Sequence, residues 1–248
     1  MIEGFNEEVR KFEPVPFHDI VERKLGQLPE DARDLLQVVA IAGQAVSVEE
    51  ASRVAGHDAP LFSTVTHMRS ERLVRLIGSE DEQLVDTYHD KIRETVLKSM
   101  TDQQRRALHL NLAETIERGE SLNAMDLFDS VCRSSKPGKY ERALSARVFD
   151  LAHHFCAAID SRAFVYQLVA AEQAMRAYAV EDASNYYERV QTLIPENSPP
   201  TLRHRIWIEP SRLGRRQGRR PRRESCRSDR TVEADGVRHP PRRKLATW

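Results

Sequence analysis

From Ile20 to Ile194, apolar residues recur in runs with the three-and-four spacing of amphipathic helices, and only one stretch, two short alternating runs, has the spacing of strands. That single interruption constrains the fold more than any other feature. It admits a helical protein carrying one small β element rather than a β-sandwich. Composition agrees, because 6% aromatic residues with 31% charged ones suits helices better than packed sheets. No run approaches the roughly 20 apolar residues of a membrane span, and MIEGFNEEVRKFEP has no apolar core of a secretory signal. Cys132, Cys156 and Cys226 lie far apart without metal-ligand spacing, which predicts reduced thiols, a cytoplasmic setting and no structural disulfide or zinc.

The formal charge of zero hides two different kinds of sequence. Residues 201–248 carry 15 Lys+Arg against 5 Asp+Glu, which leaves 23 basic and 33 acidic residues in the rest of a chain with 38 of each. Only the acidic part has the periodicity of a folded protein.

Residues 1–16 read as a loose N-terminal arm broken by Pro14 and Pro16. HDIVERKLGQL follows as a short helix with Ile20, Val21 and Leu25 on one side. Pro29 opens the next helix, whose stripe of Ala32, Leu35, Leu36, Val39 and Ala40 ends at Gly43. Ser47 with Glu50 forms a capping box for VEEASRVAG, closed by Gly56. A fourth helix spans about 59–71, with Leu61, Phe62, Val65 and Met68 on one face. Leu73–Ile77 and Gln83–Tyr88 flank the polar turn 78–82 as a hairpin. Three helices followed by a hairpin is the order of a winged-helix domain, assigned to residues 17–100.

Helices then resume. KIRETVLKSM precedes a second capping box, Thr101 with Gln104, which opens a long helix carrying Leu108, Leu110, Leu112 and Ile116. SSKPGKY reads as a loop, and three further helices cover about 141–158, 161–179 and 180–194, the last stopping at Pro195. Helices of this length on short links predict an α-solenoid segment over 101–198. Ala183, Tyr187 and Pro195 fit the second half of a tetratricopeptide repeat, whereas Gln167, Ala170 and Ala174 stand where its first half has Trp, Leu and Tyr. The fold class is therefore all-α with a small β-hairpin wing.

Three segments, LPEDARDLLQVVAIAGQAVSVEEASRVAG, LVRL and YHDKIRETVLKSMTDQQRRALHLNLAETIE, resemble the region downstream of the nucleotide-binding module in STAND-type signalling ATPases. The likeness covers roughly 17–198, and its most specific piece is Tyr88-His89-Asp90-Lys91-Ile92-Arg93-Glu94. In that family an AAA-like ATPase, often joined to a serine/threonine kinase, acts as a switch and the helical array scaffolds or senses. The resemblance implies signal transduction through protein partners, with an ATPase module in cis or in trans. The chain itself has no GxxxxGK[ST] loop and no kinase HRD or DFG. Its expected role is non-catalytic, with no catalytic, cofactor or metal residues, and Met1 is expected to be an internal or miscalled start.

Four sets of residues invite a sharper reading. His89-Asp90 could be an acid/base or ligand pair, but Asp90 as cap of the helix beginning at Lys91 explains it more simply. His153 and His154 point about 100° apart on a helix and so should not share an ion, while His153 and Cys156 could share a face. The helix at 59–71 takes the recognition-helix place, and His67, Arg69, Arg72 and Arg75 on and around it could contact phosphates, as could the arginine runs of the basic tail. A DNA-binding transcription regulator that uses the winged helix or the tail is therefore the alternative function. The acidic balance of the folded part opposes it, so nucleic acid is not an expected partner. Residues 199–248, rich in Arg, Pro, Gly and Ser, read as a basic disordered tail, and beyond about 208 as the product of a shifted reading frame.

Overall fold

A computed structural model describes residues 16–79, 83–133, 147–196 and 198–217. The chain is mostly helical, with one small antiparallel sheet of three strands. The predicted arm, the SSKPGKY loop and most of the basic tail lie outside the described residues.

The first half runs α1 (Phe17–Gln27), α2 (Glu30–Ala42), β1 (Val46–Ser47), α3 (Val48–Val54), α4 (Phe62–Ser70), β2 (Val74–Gly78), β3 (Gln83–Thr87) and α5 (Asp90–Ser99). Two apolar faces make α2 the centre of this half: Leu35, Leu36, Val38 and Val39 are all fully buried. A helix apolar on more than one side has to be surrounded, and α2 packs against α3, α4, α5 and β3. It stops where Gly43 takes the left-handed conformation at φ 75°. The sequence reading missed β1, a two-residue strand that adds to the hairpin so that the order is β1-β3-β2. Val46 pairs with Val85 and Ser47 with Leu84, and two residues are too few for an alternating pattern to be seen. Ser47 then turns the strand into a helix, its Oγ accepting from the Glu50 amide at 3.0 Å.

The second half contains α6 (Asp102–Gly119), α7 (Ala124–Arg133), α8 (Val148–Ala158), α9 (Ala163–Arg176), α10 (Val180–Leu193) and α11 (Pro200–Gln217). The Thr101–Gln104 box closes in both directions: the Thr101 hydroxyl accepts from the Gln104 amide, and the Gln104 side chain accepts from the Thr101 amide. Successive helices then pack as neighbours, α8 on α9, α9 on α10 and α10 on α11. Ala183, Tyr187 and Val190 are fully buried on α10.

Two elements depart from the sequence reading. No helix was expected at 124–133, yet Asn123 Oδ1 accepts from the amides of Met125 and Asp126 and starts α7, which buries Val131. Helix α11 occupies the beginning of the predicted disordered tail. Leu202 and Ile206 are buried, and Arg205 reaches Glu172 of α9 at 2.9 Å. Two apolar residues four apart plus one interior ion pair dock it, and a segment that short leaves little trace in composition.

One apolar cluster runs through both halves, from Val21 to Ile206. Helix α6 joins them, packing on α2 and α3 on one side and on α8 on the other.

Candidate functional site

The most chemically loaded point of the molecule lies where α6 meets α8. His109 projects from α6 along the line of Leu112, Ala113 and Ile116, which are buried. His154 sits on the inner face of α8 between Leu151 and Phe155 and is 2% exposed. The Nδ1 atoms of His109 and His154 are 2.9 Å apart, a hydrogen bond in which one neutral ring donates to the other. His153 closes the group: its ring centroid is 5.6 Å from that of His109 and 5.0 Å from that of His154, edge-on to both. One ring nitrogen from each of the three lies within 4.8 Å of the others.

Burial sets the protonation of this group. It pushes His154 down to about 3, helped by the neighbouring His109, His153 and Arg147. It pushes His109 down to about 4, with His153 and Arg105 adding to the effect. His153, exposed on the outer side, is also lowered by desolvation and by Arg189, against an opposing pull from Asp150. All three rings are therefore neutral near pH 7, with unprotonated nitrogens available as acceptors or ligands.

This arrangement corrects the expectation that His153 and His154 cannot converge. Their Cβ bonds do diverge around the helix, but each side chain is long enough to turn its ring toward the other and toward His109. The missing participant was His109. It stands three residues before Leu112 and seven before Ile116, on the buried stripe of α6, and that position was its sequence signal. Cys156 is a half-buried free thiol outside the three-histidine group.

His89 and Asp90 exchange their expected roles. His89 is the residue that caps α5, its Nδ1 accepting from the Lys91 amide at 3.1 Å. Asp90 falls in the first turn, where its carboxylate is 95% exposed and reaches Arg93 at 3.7 Å. His89 also lines an open cavity of about 440 Å³ with His18, Lys91, Glu94, Thr95 and Lys98. Within it His18 Nδ1 lies 3.2 Å from the Thr95 hydroxyl, and His18 Nε2 lies 3.0 Å from the Glu22 carboxylate.

Of the proposed phosphate contacts, His67, Arg69 and Arg72 are exposed on and after α4. Arg75 is held by Asp86 at 2.7 Å, and the same carboxylate takes Arg93 at 2.7 Å and the Thr87 amide at 2.7 Å. Asp86 thus pins the hairpin to α5 and offsets the charge of one of the four groups.

A second junction ties the halves together electrostatically. Arg147, just before α8, makes a two-pronged contact with Glu50 of α3, at 2.9 and 3.1 Å, and a further one with Asp150 at 3.3 Å. These hydrogen bonds hold the Arg147 charge above its usual range against the cost of burial.

No family model, no curated protein and no solved structure matches this chain. No helix among the described residues is long and apolar enough to cross a membrane.

Proposed function

We propose that this chain is a non-catalytic coupling segment of a multidomain signalling ATPase or serine/threonine kinase, with a winged-helix unit over 17–100 joined to a tetratricopeptide-like segment beginning at 101. The reading draws on the order α2–β1–α3–α4–β2–β3 with β3 central in the sheet, the arrangement a winged helix requires. The stepwise packing of α8 through α11 supports the repeat-like segment and extends it beyond residue 198.

The single observation that carries the coupling role is the shared helix. Because α6 packs at once on α2, α3 and α8, a displacement of the first half is passed to the second without crossing a flexible linker. The bidentate Glu50–Arg147 contact fixes the register of that joint. In this reading the first half meets an ATPase module, in cis or in trans, within the cytoplasm. The helical half offers its surface to a protein partner. Duplex binding is disfavoured by the acidic balance of residues 1–200, and one of its four candidate contacts, Arg75 on β2, is paired with Asp86.

The test titrates this chain against a separately expressed AAA-like nucleotide-binding module of the signalling-ATPase type, with ATP and with ADP. Affinity that differs about tenfold or more between the two nucleotides supports the reading. The reading fails if the module does not bind, or if the two affinities are equal.

A further inference from the structure

We propose that His109, His153 and His154 form a binding site for a late first-row divalent metal ion of the zinc type, with water completing the coordination shell. The inference rests on side-chain geometry alone and stands apart from the coupling role.

The donor set is the first argument. Three imidazoles each present one nitrogen, all within 4.8 Å of one another. Three histidines plus solvent is a coordination set that tetrahedral zinc accepts. Two zinc–nitrogen bonds of about 2.0–2.1 Å at a tetrahedral angle place their donors roughly 3.3 Å apart. The His109 and His154 Nδ1 atoms stand at 2.9 Å, so a small opening of the pair admits an ion in place of their hydrogen bond. When both Nδ1 atoms ligate, the ring that carried the shared proton shifts it to its own Nε2. Both rings stay neutral, and no net proton is released.

Placement is the second argument. The ligands come from α6 and α8, two helices packed directly on each other, and rigid elements hold donors better than loops do. The group is graded from buried His154 through half-buried His109 to exposed His153, which leaves a route for the ion and a solvent-facing position once it is bound.

Charge decides the class of metal. No carboxylate belongs to the donor set. The charged groups around it are largely paired: Arg105 of α6 with Asp102, and Arg147 before α8 with Glu50 and Asp150, with Arg189 of α10 beside His153. A donor set without anionic oxygen disfavours magnesium and calcium, which are held by carboxylates and carbonyls. It leaves zinc, nickel, copper and cobalt, which bind imidazole through partly covalent bonds.

The experiment titrates the full-length chain with Co²⁺, followed by its visible ligand-field absorption, and then displaces it with Zn²⁺. The expected result is one Co²⁺ per chain, without the intense near-ultraviolet band of thiolate ligation, and unaffected by excess Mg²⁺ or Ca²⁺. His153→Ala, at an exposed position that leaves the fold intact by circular dichroism, should weaken binding at least about tenfold, and His109→Gln likewise. Absence of stoichiometric binding, a thiolate band, or affinity unchanged in His153→Ala each overturns the proposal.

Discussion

The two halves of this molecule are built from the same kind of helix but are held together by different physics. In the first half, the interior around α2 is aliphatic; buried Ser52, Thr87 and Thr95 serve turns, caps and the hairpin, and the buried carboxylate of Asp86 is held by Arg75 and Arg93. In the second half, charge and hydrogen bonding enter the core. Gln167, fully buried, donates to the Ala152 carbonyl. Glu172, 1% exposed, is met by Arg205 from α11. Arg162 gathers Asp160, Glu114 and Glu117 and lies over the Phe155 ring at 4.4 Å, while the Tyr166 hydroxyl donates to Glu117 at 2.6 Å. Aliphatic packing tolerates changes of pH and salt. A core with charges and neutral histidines does not, because each group must keep both its partner and its protonation state.

The largest effect should follow from breaking the interior pair of the second half. Arg205→Ala removes the ion-pair partner of buried Glu172, and should cost about 3–5 kcal/mol in urea unfolding. Replacing both with apolar residues, Glu172→Leu with Arg205→Met, should recover most of it. Failure of the double variant to recover would mean that Arg205 matters for reasons other than charge. In the first half the comparable loss should come from an apolar truncation: Leu36→Ala should cost about 2–5 kcal/mol, with no dependence on pH.

The pH response should separate the halves next. An unfolded histidine titrates near 6.5, while His109 and His154 are held at about 4 and about 3 by burial and by their neighbours. Their folded values are depressed, so the stabilisation is complete above about pH 6.5 and declines as pH falls toward those values. Each ring that stays neutral should cost about 2 kcal/mol by pH 5. The check is urea unfolding at pH 7.5 and pH 5. If His154→Phe gives the same pH slope as the parent chain, the histidine pair is not its source.

The smallest expected effect concerns how helices stop, and it explains what the sequence could and could not reveal. Five helix ends carry the same paired backbone bonds around a left-handed residue. Gly56 does this after α3, Arg72 after α4, Ser121 after α6, Ile159 after α8 and Tyr178 after α9. At the first, glycine announces the stop. At the other four a residue with a Cβ occupies the position, and the boundary is silent in the sequence. Ile159, β-branched with φ 60° and 69% exposed, is strained there, so Ile159→Gly should raise stability by about 1 kcal/mol. A loss of stability would show that the Ile159 side chain has a contact worth more than the strain.

The first half was accordingly the more legible. Its core residues Leu35, Leu36 and Val39, its Ser47 cap and its Gly43 stop follow from pattern and residue type. Only β1, too short to alternate, escaped notice. In the second half, α7 and α11 went unread because one is announced only by Asn123 and the other is docked by Leu202, Ile206 and an ion pair. The histidine group went unread because it joins residues 45 positions apart, and spacing along a single helix cannot report a partner on another.

Coupling requires that the halves, for all this difference, move as one body through α6 and the Glu50–Arg147 contact. Amide hydrogen exchange of the full chain, compared with Glu50→Gln, tests it most directly. Weakening that contact should lower protection in α3 and, in the same variant, in α8 and α9 on the far side of the joint. Loss of protection confined to α3 and its neighbours in the first half would contradict the coupling.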